Sequence, residues 1–227
     1  MTLTNPVSAG DTATAVQYNN LRLDTLSLPI DLSAAGVTAG GTGGSSTQYF
    51  SHVAIATSGT SGQNQFIWGP TAVATLPEPW GEADADWTFF TAIKLSATTN
   101  QDVLWGIYTD DAAGVPPAAA TSVNPAACFV VNDGTLFAMT GSGAANENTD
   151  ISSGITLTNY NTYRIVYDQS TPDWKFYIND SLKATHTTGI ASTDNDLALY
   201  FSIETQENAA KTLSVARSTY MTTANIY

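Results

Sequence analysis

Positive charge is scarce in this sequence. Seven lysine and arginine residues stand against 20 aspartate and glutamate residues, which gives a formal net charge of −13 over 227 residues. The cations are scattered singly from Arg22 to Arg217, whereas a surface that binds phosphates or anionic lipids needs them clustered. We therefore expect neither nucleic acid nor a membrane among the partners of this protein.

Cysteine is rare and long apolar runs are missing. The single Cys128 cannot form an internal disulfide or a cysteine-based metal site, and the apolar run at 126–131 predicts a buried strand around it. The sequence starts with neither a basic nor an apolar segment typical of a secretory signal, and no apolar run is long enough to span a bilayer. We expect a protein made in the cytoplasm without a signal peptide.

Uncharged polar residues supply the surface instead. Charged residues make up 12% of the chain, about half the usual share, while hydrophobic residues make up 43% and threonine occurs 34 times. Threonine favours strands and leaves a polar, solvated sheet face. The length suits one large all-β domain or two small domains.

The first residues, 1–32, predict a short attachment segment. Residues 12–28 contain neither glycine nor proline and Pro29 ends the run, as in a short helix. Val16, Leu23 and Leu26 fall on a heptad-like stripe that is too short for an unaided coiled coil, so we expect them to contact a partner or a second copy. The glycine-rich residues 33–46 predict either a flexible linker or an ordered arm along a neighbouring subunit.

The remaining residues, 47–227, have a strongly β pattern. Short apolar runs alternate with turn residues, and no helical period occurs. This pattern predicts an all-β, two-sheet antiparallel jelly-roll sandwich. The predicted strands are 49–57, 65–68, 87–96, 103–109, 127–131, 135–140, 163–168, 174–178, 182–187, 197–203, 212–217 and 220–227.

One stretch of this β region carries a family resemblance. Residues 160–188 include Tyr-Arg-Ile, then Trp-Lys-Phe-Tyr-Ile-Asn from Trp174, then a tight turn at Asn179-Asp180 before Leu-Lys-Ala-Thr-His. This hairpin resembles that of concanavalin A-like lectins, glucanases and laminin-G-type jelly rolls, and residues 87–95 resemble an early strand of the same fold. The resemblance implies the fold but no activity, because this jelly roll hosts lectins, glycosidases and structural domains.

A second resemblance concerns the N-terminal segment. Residues 5–26, with Gly10-Asp11 and Tyr18-Asn-Asn-Leu-Arg22, are similar to the opening of tailed-phage structural proteins, in which such a segment precedes a fibre or surface domain. The resemblance implies a non-catalytic protein on the virion surface, of capsid-decoration or tail-fibre type. Its expected partners are other virion proteins, further copies of itself, with a trimer favoured, and a host-surface glycan.

Three alternating carboxylates, Glu82, Asp84 and Asp86, form the sharpest enzymatic motif. They resemble the Glu-x-Asp-x-Glu strand of retaining glucanases, in which one carboxylate is the nucleophile and another the acid/base. Asp86 stands where the family has glutamate, and alanine spacers replace bulky residues, so we expect no catalysis. The same oxygens suit Ca²⁺, which makes them candidate metal ligands, although we expect no required cofactor.

Two tryptophans are the candidate carbohydrate-binding residues. Trp68 and Trp80 flank a proline-rich loop and offer faces on which a sugar can stack, whereas Trp87, Trp105 and Trp174 are expected in the core. The two histidines, His52 and His186, are interpreted as surface residues of strands. The alternative function is a carbohydrate-binding or polysaccharide-hydrolysing protein of the lectin and glucanase fold.

Overall fold

The computed structural model describes residues 38–68, 86–109, 126–141, 145–168, 170–188, 197–216 and 220–224. These residues form two antiparallel sheets, as predicted. No helix occurs among them, and so none that could cross a membrane.

Each sheet is built from strands that are distant in sequence. The seven-stranded sheet has the order β1 (Thr38–Gly41), β4 (Asn64–Trp68), β13 (Leu197–Thr205), β6 (Gln101–Thr109), β7 (Ala126–Asn132), β8 (Thr135–Gly141) and β9 (Asn146–Asp150). The eight-stranded sheet has the order β12 (Ser181–His186), β11 (Asp173–Ile178), β10 (Asn161–Asp168), β5 (Asp86–Leu95), β14 (Thr212–Ala216), β3 (His52–Thr57) and β2 (Gly44–Gln48), with β15 (Tyr220–Ala224) also paired to β5.

The core between the sheets follows the strand period of two. Because successive side chains point to opposite faces, every second residue of the central strands is buried between the sheets. Phe129 lies among aromatic rings, with ring centroids 5.0 Å from Tyr163, 5.4 Å from Phe176 and 5.8 Å from Trp105. The burial of Trp105 and Trp174 confirms their predicted place in the core.

Two tight turns adopt the backbone that their residues favour. Asn179 and Asp180 have φ of 49° and 62°, and the turn joins β11 to β12. Asp133 and Gly134 have φ of 42° and 93° and join β7 to β8. Both central residues of such hairpin turns need positive φ, which asparagine, aspartate and glycine tolerate best. The predicted turn at Asn179-Asp180 is confirmed.

The glycine-rich segment differs from its prediction. Over 38–46 it is neither a linker nor an arm on a neighbouring subunit, because β1 pairs with β4 and β2 pairs with β3 of the same chain. The sandwich therefore begins by Thr38 rather than at Thr47. The segment changes from one sheet to the other at Gly41–Gly44, where both glycines have positive φ and a Cβ would meet backbone oxygens at 2.3 and 2.1 Å.

The interpretation of His186 as a surface residue is wrong. The pairing of β11 with β12 shifts register between Phe176 and Tyr177, so Leu182 is exposed while Ala184 and His186 are buried. A bulge of this kind reverses the inward and outward alternation of a strand. His52, by contrast, is the first residue of β3 and is half-buried.

The outer face of the seven-stranded sheet carries a second apolar cluster. It consists of Leu104, Tyr108, Ala126, Cys128, Val130, Met139 and Tyr200, with Phe66 and Phe137 packed against it. Cys128 is fully buried there, as predicted, and burial raises the pKa of its thiol. This face therefore combines apolar side chains with the polar residues that are described next.

Candidate functional site

Two carboxylates lie side by side on the outer face of the seven-stranded sheet. Val103 and Ile203 point into the core, so their neighbours Asp102 and Glu204 occupy the opposite face. Register pairs Asp102 with Glu204 on one side and with Asn132 on the other. Directly opposed residues of antiparallel strands have Cβ atoms about 4.5–5.5 Å apart, so β13, β6 and β7 assemble a continuous polar row.

Amide groups hold the two carboxylates in place. Gln206 Nε2 donates to Asp102 Oδ2 at 2.7 Å and to Glu204 Oε1 at 2.9 Å. Asn132 Nδ2 donates to Asp102 Oδ1 at 3.0 Å. We call Asp102, Asn132, Glu204 and Gln206 the carboxylate site. Among the described residues, no ion pair involves either carboxylate of this site.

The surroundings raise the pKa of both carboxyl groups. Desolvation is the main cause for Asp102, and the charge of Asp133 adds to it. Desolvation is again the main cause for Glu204, and the charge of Asp102 adds to it. The hydrogen bonds from Gln206 act in the opposite direction. A pair of carboxyl groups with raised pKa values is the kind of feature that occurs at functional sites.

Two aromatic rings lie at the ends of the row of residues next to the carboxylate site. Phe66 on β4 and Phe137 on β8 are half-buried on the same outer face. Three strands separate β4 from β8, which places the two phenylalanines about 19 Å apart. Ser202 lies between Phe66 and Leu104 in register, and its hydroxyl is buried with no hydrogen-bond partner. Between the two phenylalanines, the register places Ser202, Leu104 and Val130, which are fully buried.

The residues singled out from the sequence lie mostly elsewhere. Trp80, Glu82 and Asp84 fall outside the described residues. Asp86 is the first residue of β5, in the eight-stranded sheet, and Trp68 is the last residue of β4, paired with β1 and β13; their side chains are outside the described part. The predicted contact residues Val16, Leu23 and Leu26 also lie outside it, so all these assignments stay predictions.

The described residues offer no alternative to the predicted Ca²⁺ ligands. Within the described ranges, no three histidine, cysteine, aspartate or glutamate side chains are placed to hold a metal ion. The oxygens of Asp102 and Glu204 instead accept hydrogen bonds from amides. The arrangement can accept hydrogen bonds from the hydroxyl or ammonium groups of a ligand.

Comparison with known proteins identifies the fold. No family model matches the chain, and no curated protein sequence does either. A seed lectin of Lotus tetragonolobus matches with a TM-score of 0.59 and 10% identity over 88% of this chain and 96% of the lectin. The fold is that of the concanavalin A-like lectins.

Two further structures with this lectin fold differ in what their names describe. The carbohydrate recognition domain of Emp47p matches with a TM-score of 0.58 and 10% identity, over 89% of this chain and 95% of that domain. A family 7 alginate lyase, A1-II′, solved with its substrate, matches with a TM-score of 0.53 and 15% identity, over 80% of this chain and 84% of the lyase. The lectin fold thus includes both binding proteins and an enzyme, and identities this low establish the fold alone.

Proposed function

We propose that this protein is a non-catalytic saccharide-binding module and that the carboxylate site contacts the sugar. The observation that supports the proposal is the cross-strand row of Asp102, Glu204 and Asn132, which shares its face with Phe66 and Phe137. Sugars present hydroxyl groups around the ring edge and C–H groups on the ring face. Carboxylate and amide groups match the first, and aromatic rings match the second.

The hydrogen bonds of the site favour binding over chemistry. Both carboxylates accept a hydrogen bond from Gln206, which orients them before a ligand arrives. Such pre-organisation lowers the entropy cost of binding. Because both groups are half-buried, a hydroxyl that donates to them replaces water in a partly desolvated place, where a charge-assisted hydrogen bond is stronger than in bulk water.

Binding to an array of neutral, amino and acidic oligosaccharides tests this proposal. Once a ligand is found, we expect Asp102→Ala or Glu204→Ala to weaken it about tenfold or more, because a hydrogen bond to a charged group contributes about 1.5–3 kcal/mol. Asp180→Asn is the matched control, since its carboxylate is exposed beside the turn of the other sheet and asparagine tolerates the positive φ of that position. An array without any bound saccharide, or equal losses in all three variants, contradicts the proposal.

A second candidate function is cleavage of a polysaccharide. The observation that favours it is the proximity of Asp102 and Glu204. Both accept a hydrogen bond from the same atom, Gln206 Nε2, so the two accepting oxygens lie no farther apart than the sum of these two hydrogen-bond lengths. Retaining glycosidases hold their two carboxyl groups about 5–5.5 Å apart. Mass spectrometry of oligosaccharides incubated with the protein decides: products that disappear with Glu204→Gln support cleavage, and unchanged substrate supports binding alone.

We further propose that the module acts on a virion surface, attached through residues 1–32. The support is the resemblance of residues 5–26 to tailed-phage structural proteins, together with the short stripe of Val16, Leu23 and Leu26. The expected partners are other virion proteins and further copies of the chain, with a trimer favoured. Deleting residues 1–32 should abolish association with the particle while glycan binding persists. Retained association would contradict the attachment role, and light scattering of the full chain gives the oligomer number.

A further inference from the structure

We infer that the outer face of the eight-stranded sheet is a second binding surface and that it takes linear acidic oligosaccharides. Arg164 and Lys94 supply the contacts to acidic groups, and the rings of Tyr177 and Tyr160 lie beside these two cations. The inference goes beyond the proposed function, because it concerns the sheet opposite the carboxylate site and needs none of the residues of that site.

The fold brings most cations of the described residues to one sheet. One lies on each of β5, β10, β11 and β12: Lys94, Arg164, Lys175 and Lys183. Along the sequence these cations stand singly, and only the pairing of the strands makes them neighbours. Ile93 and Ile165 are buried in the core, so the adjacent Lys94 and Arg164 point to the outer face. A chain with a net charge of −13 therefore presents several cations on this face.

Two of these cations have hydrogen-bond donors to spare. Lys175 is engaged by two aspartates, with Nζ–O distances of 3.1 and 3.3 Å. Arg164 is paired with the exposed Asp180 at 3.9 Å, which is too long for a hydrogen bond. Lys94 is exposed and takes part in no ion pair within the described ranges. Arg164 and Lys94 can therefore donate to the acidic groups of a ligand.

Aromatic rings support both cations. The guanidinium of Arg164 lies 4.1 Å from the centre of the Tyr177 ring, and Lys94 Nζ lies 6.0 Å from the centre of the Tyr160 ring. A guanidinium that stacks on a ring can still direct its planar fork of donors at a carboxylate. Because stacking orients the side chain beforehand, less entropy is lost when a ligand binds. Arg164 is thus pre-organised to bind an acidic group.

The spacing of the two cation–ring pairs fits an oligosaccharide. Tyr160 precedes β10 and Arg164 follows four residues later, which corresponds to about 13 Å along the strand. This span is longer than a single sugar ring. Thr162 lies between the two pairs, opposite Ala92 in register, and both of these side chains are short. A linear ligand can therefore lie flat on this stretch and contact both pairs.

Exposed apolar side chains complete the surface. Tyr160 is 50% exposed, and Leu182, which pairs with Tyr177 in register, is 53% exposed. They are two of the four large hydrophobic side chains that are exposed in the described part of the chain. A uronic acid combines an apolar ring face with a carboxylate, so it matches a surface on which aromatic and apolar groups lie beside cations.

The acidity of the rest of the chain does not prevent this contact. The carboxylate site lies on the outer face of the other sheet, and packed sheets are about 10 Å apart. At physiological ionic strength charges are screened over about 8 Å, so the carboxylate site repels a ligand on this face only weakly. Asp180 lies much closer to Arg164, and an acidic ligand has to displace it.

Isothermal titration calorimetry with two matched tetrasaccharides tests the inference. The probes are the β-1,4-linked tetramer of glucuronate and cellotetraose, which differ only in a carboxylate in place of a hydroxymethyl group on each ring. We expect the full chain at low salt to bind the acidic tetramer about tenfold more tightly, because its carboxylates accept charge-assisted hydrogen bonds. Added salt should weaken only the acidic tetramer. Equal affinities, or no binding of the acidic tetramer, overturn the inference.

Three single variants locate the ligand. Arg164→Gln should weaken the acidic tetramer about tenfold, and Asp180→Asn should tighten it about twofold, because the carboxylate that competes for Arg164 is removed. Lys175→Gln is the matched control, since it removes a cation of the same sheet whose ammonium group is already engaged. We expect it to change the affinity less than about twofold. Equal losses for Arg164→Gln and Lys175→Gln, or weaker binding by Asp180→Asn, overturn the inference.

Two further comparisons separate this surface from the carboxylate site and from an interface between copies. Asp102→Asn combined with Glu204→Gln should leave the binding of the acidic tetramer unchanged. If this double variant loses that binding, the ligand lies at the carboxylate site, which overturns the inference while the proposed function stands. If light scattering shows an oligomer that Arg164→Gln dissociates, the face belongs to a second copy and the inference is likewise overturned.

Discussion

His186 joins the two sheets at the side of the sandwich where β9 and β12 are the edge strands. It is fully buried, and its two ring nitrogens lie 3.1 Å from Thr140 Oγ1 and 2.9 Å from Thr149 Oγ1. Its ring also packs against Phe176 at 5.1 Å. Desolvation lowers the pKa of His186 below its usual value of 6.5, and the charge of Glu147 opposes this only in part.

This lowered pKa predicts that acid destabilises the fold through His186. The unfolded chain takes up a proton near pH 6.5 while the folded chain does not, so the contribution of His186 is fully present above pH 6.5 and is lost as the pH falls towards the folded pKa. One proton corresponds to a slope of at most about 1.4 kcal/mol per pH unit. Desolvation raises the pKa of Glu147, but hydrogen bonds from the backbone N–H groups of Thr188 and Thr187 lower it overall, below its usual value of 4.5. Glu147 therefore changes the free energy of unfolding only below about pH 4.5.

Urea unfolding of the wild type and of His186→Gln between pH 8 and pH 5 measures this contribution. At pH 8 we expect the variant to be less stable by about 1–3 kcal/mol, because buried threonine hydroxyls lose a partner. The stability difference between the two proteins should then shrink on acidification, by up to about 1.4 kcal/mol per pH unit. Phe129→Leu is the control, because it removes no titratable group, and its stability difference from the wild type should not change with pH. A difference for His186→Gln that stays constant or grows in acid refutes the reasoning.

Three further predictions concern the stability of the sandwich, each measured by urea unfolding. Gly106→Ala should destabilise by about 1–3 kcal/mol or more, since φ is +144° and a Cβ would meet Ala127 O at 2.6 Å; unchanged stability contradicts this. Phe129→Ala should cost about 3–5 kcal/mol because it empties the centre of the aromatic cluster, whereas Phe129→Leu should cost less. Asp180→Gly should stabilise by about 0.5 kcal/mol, since glycine relieves a positive φ of 62° at some entropic cost; a destabilised variant would count against it.

The strands that cover the core could be predicted from the sequence, whereas the edge strands β1, β2 and β9 could not. In β11, Trp174, Phe176 and Ile178 share one face because that face fills the space between the sheets. β1, β2 and β9 consist of small or polar residues with little apolar alternation. Their pairing partners come from the tertiary structure, so local patterns do not reveal them.

The carboxylate site was also missing from the prediction, for a different reason. Asp102 and Glu204 each stand near the end of a correctly predicted strand, and neither belongs to a recognisable motif. They become neighbours only through the register of β6 with β13, which joins residues about a hundred positions apart. Alternating carboxylates such as Glu82, Asp84 and Asp86 attract attention in a sequence because their spacing is local. A site assembled across strands has no such local signal.

The positions of β13 and β14 have a consequence for how the chain is made. β13 lies between β4 and β6, and β14 lies between β3 and β5, so these two late strands connect β1–β4 to the rest of both sheets. A ribosome that adds about 5–20 residues per second needs roughly 7–30 s to proceed from Trp68 to Ala216. During this interval the four N-terminal strands lack their central partners, and a chain that is terminated before β13 would leave them unattached. The sandwich therefore cannot be completed until β14 has been synthesised.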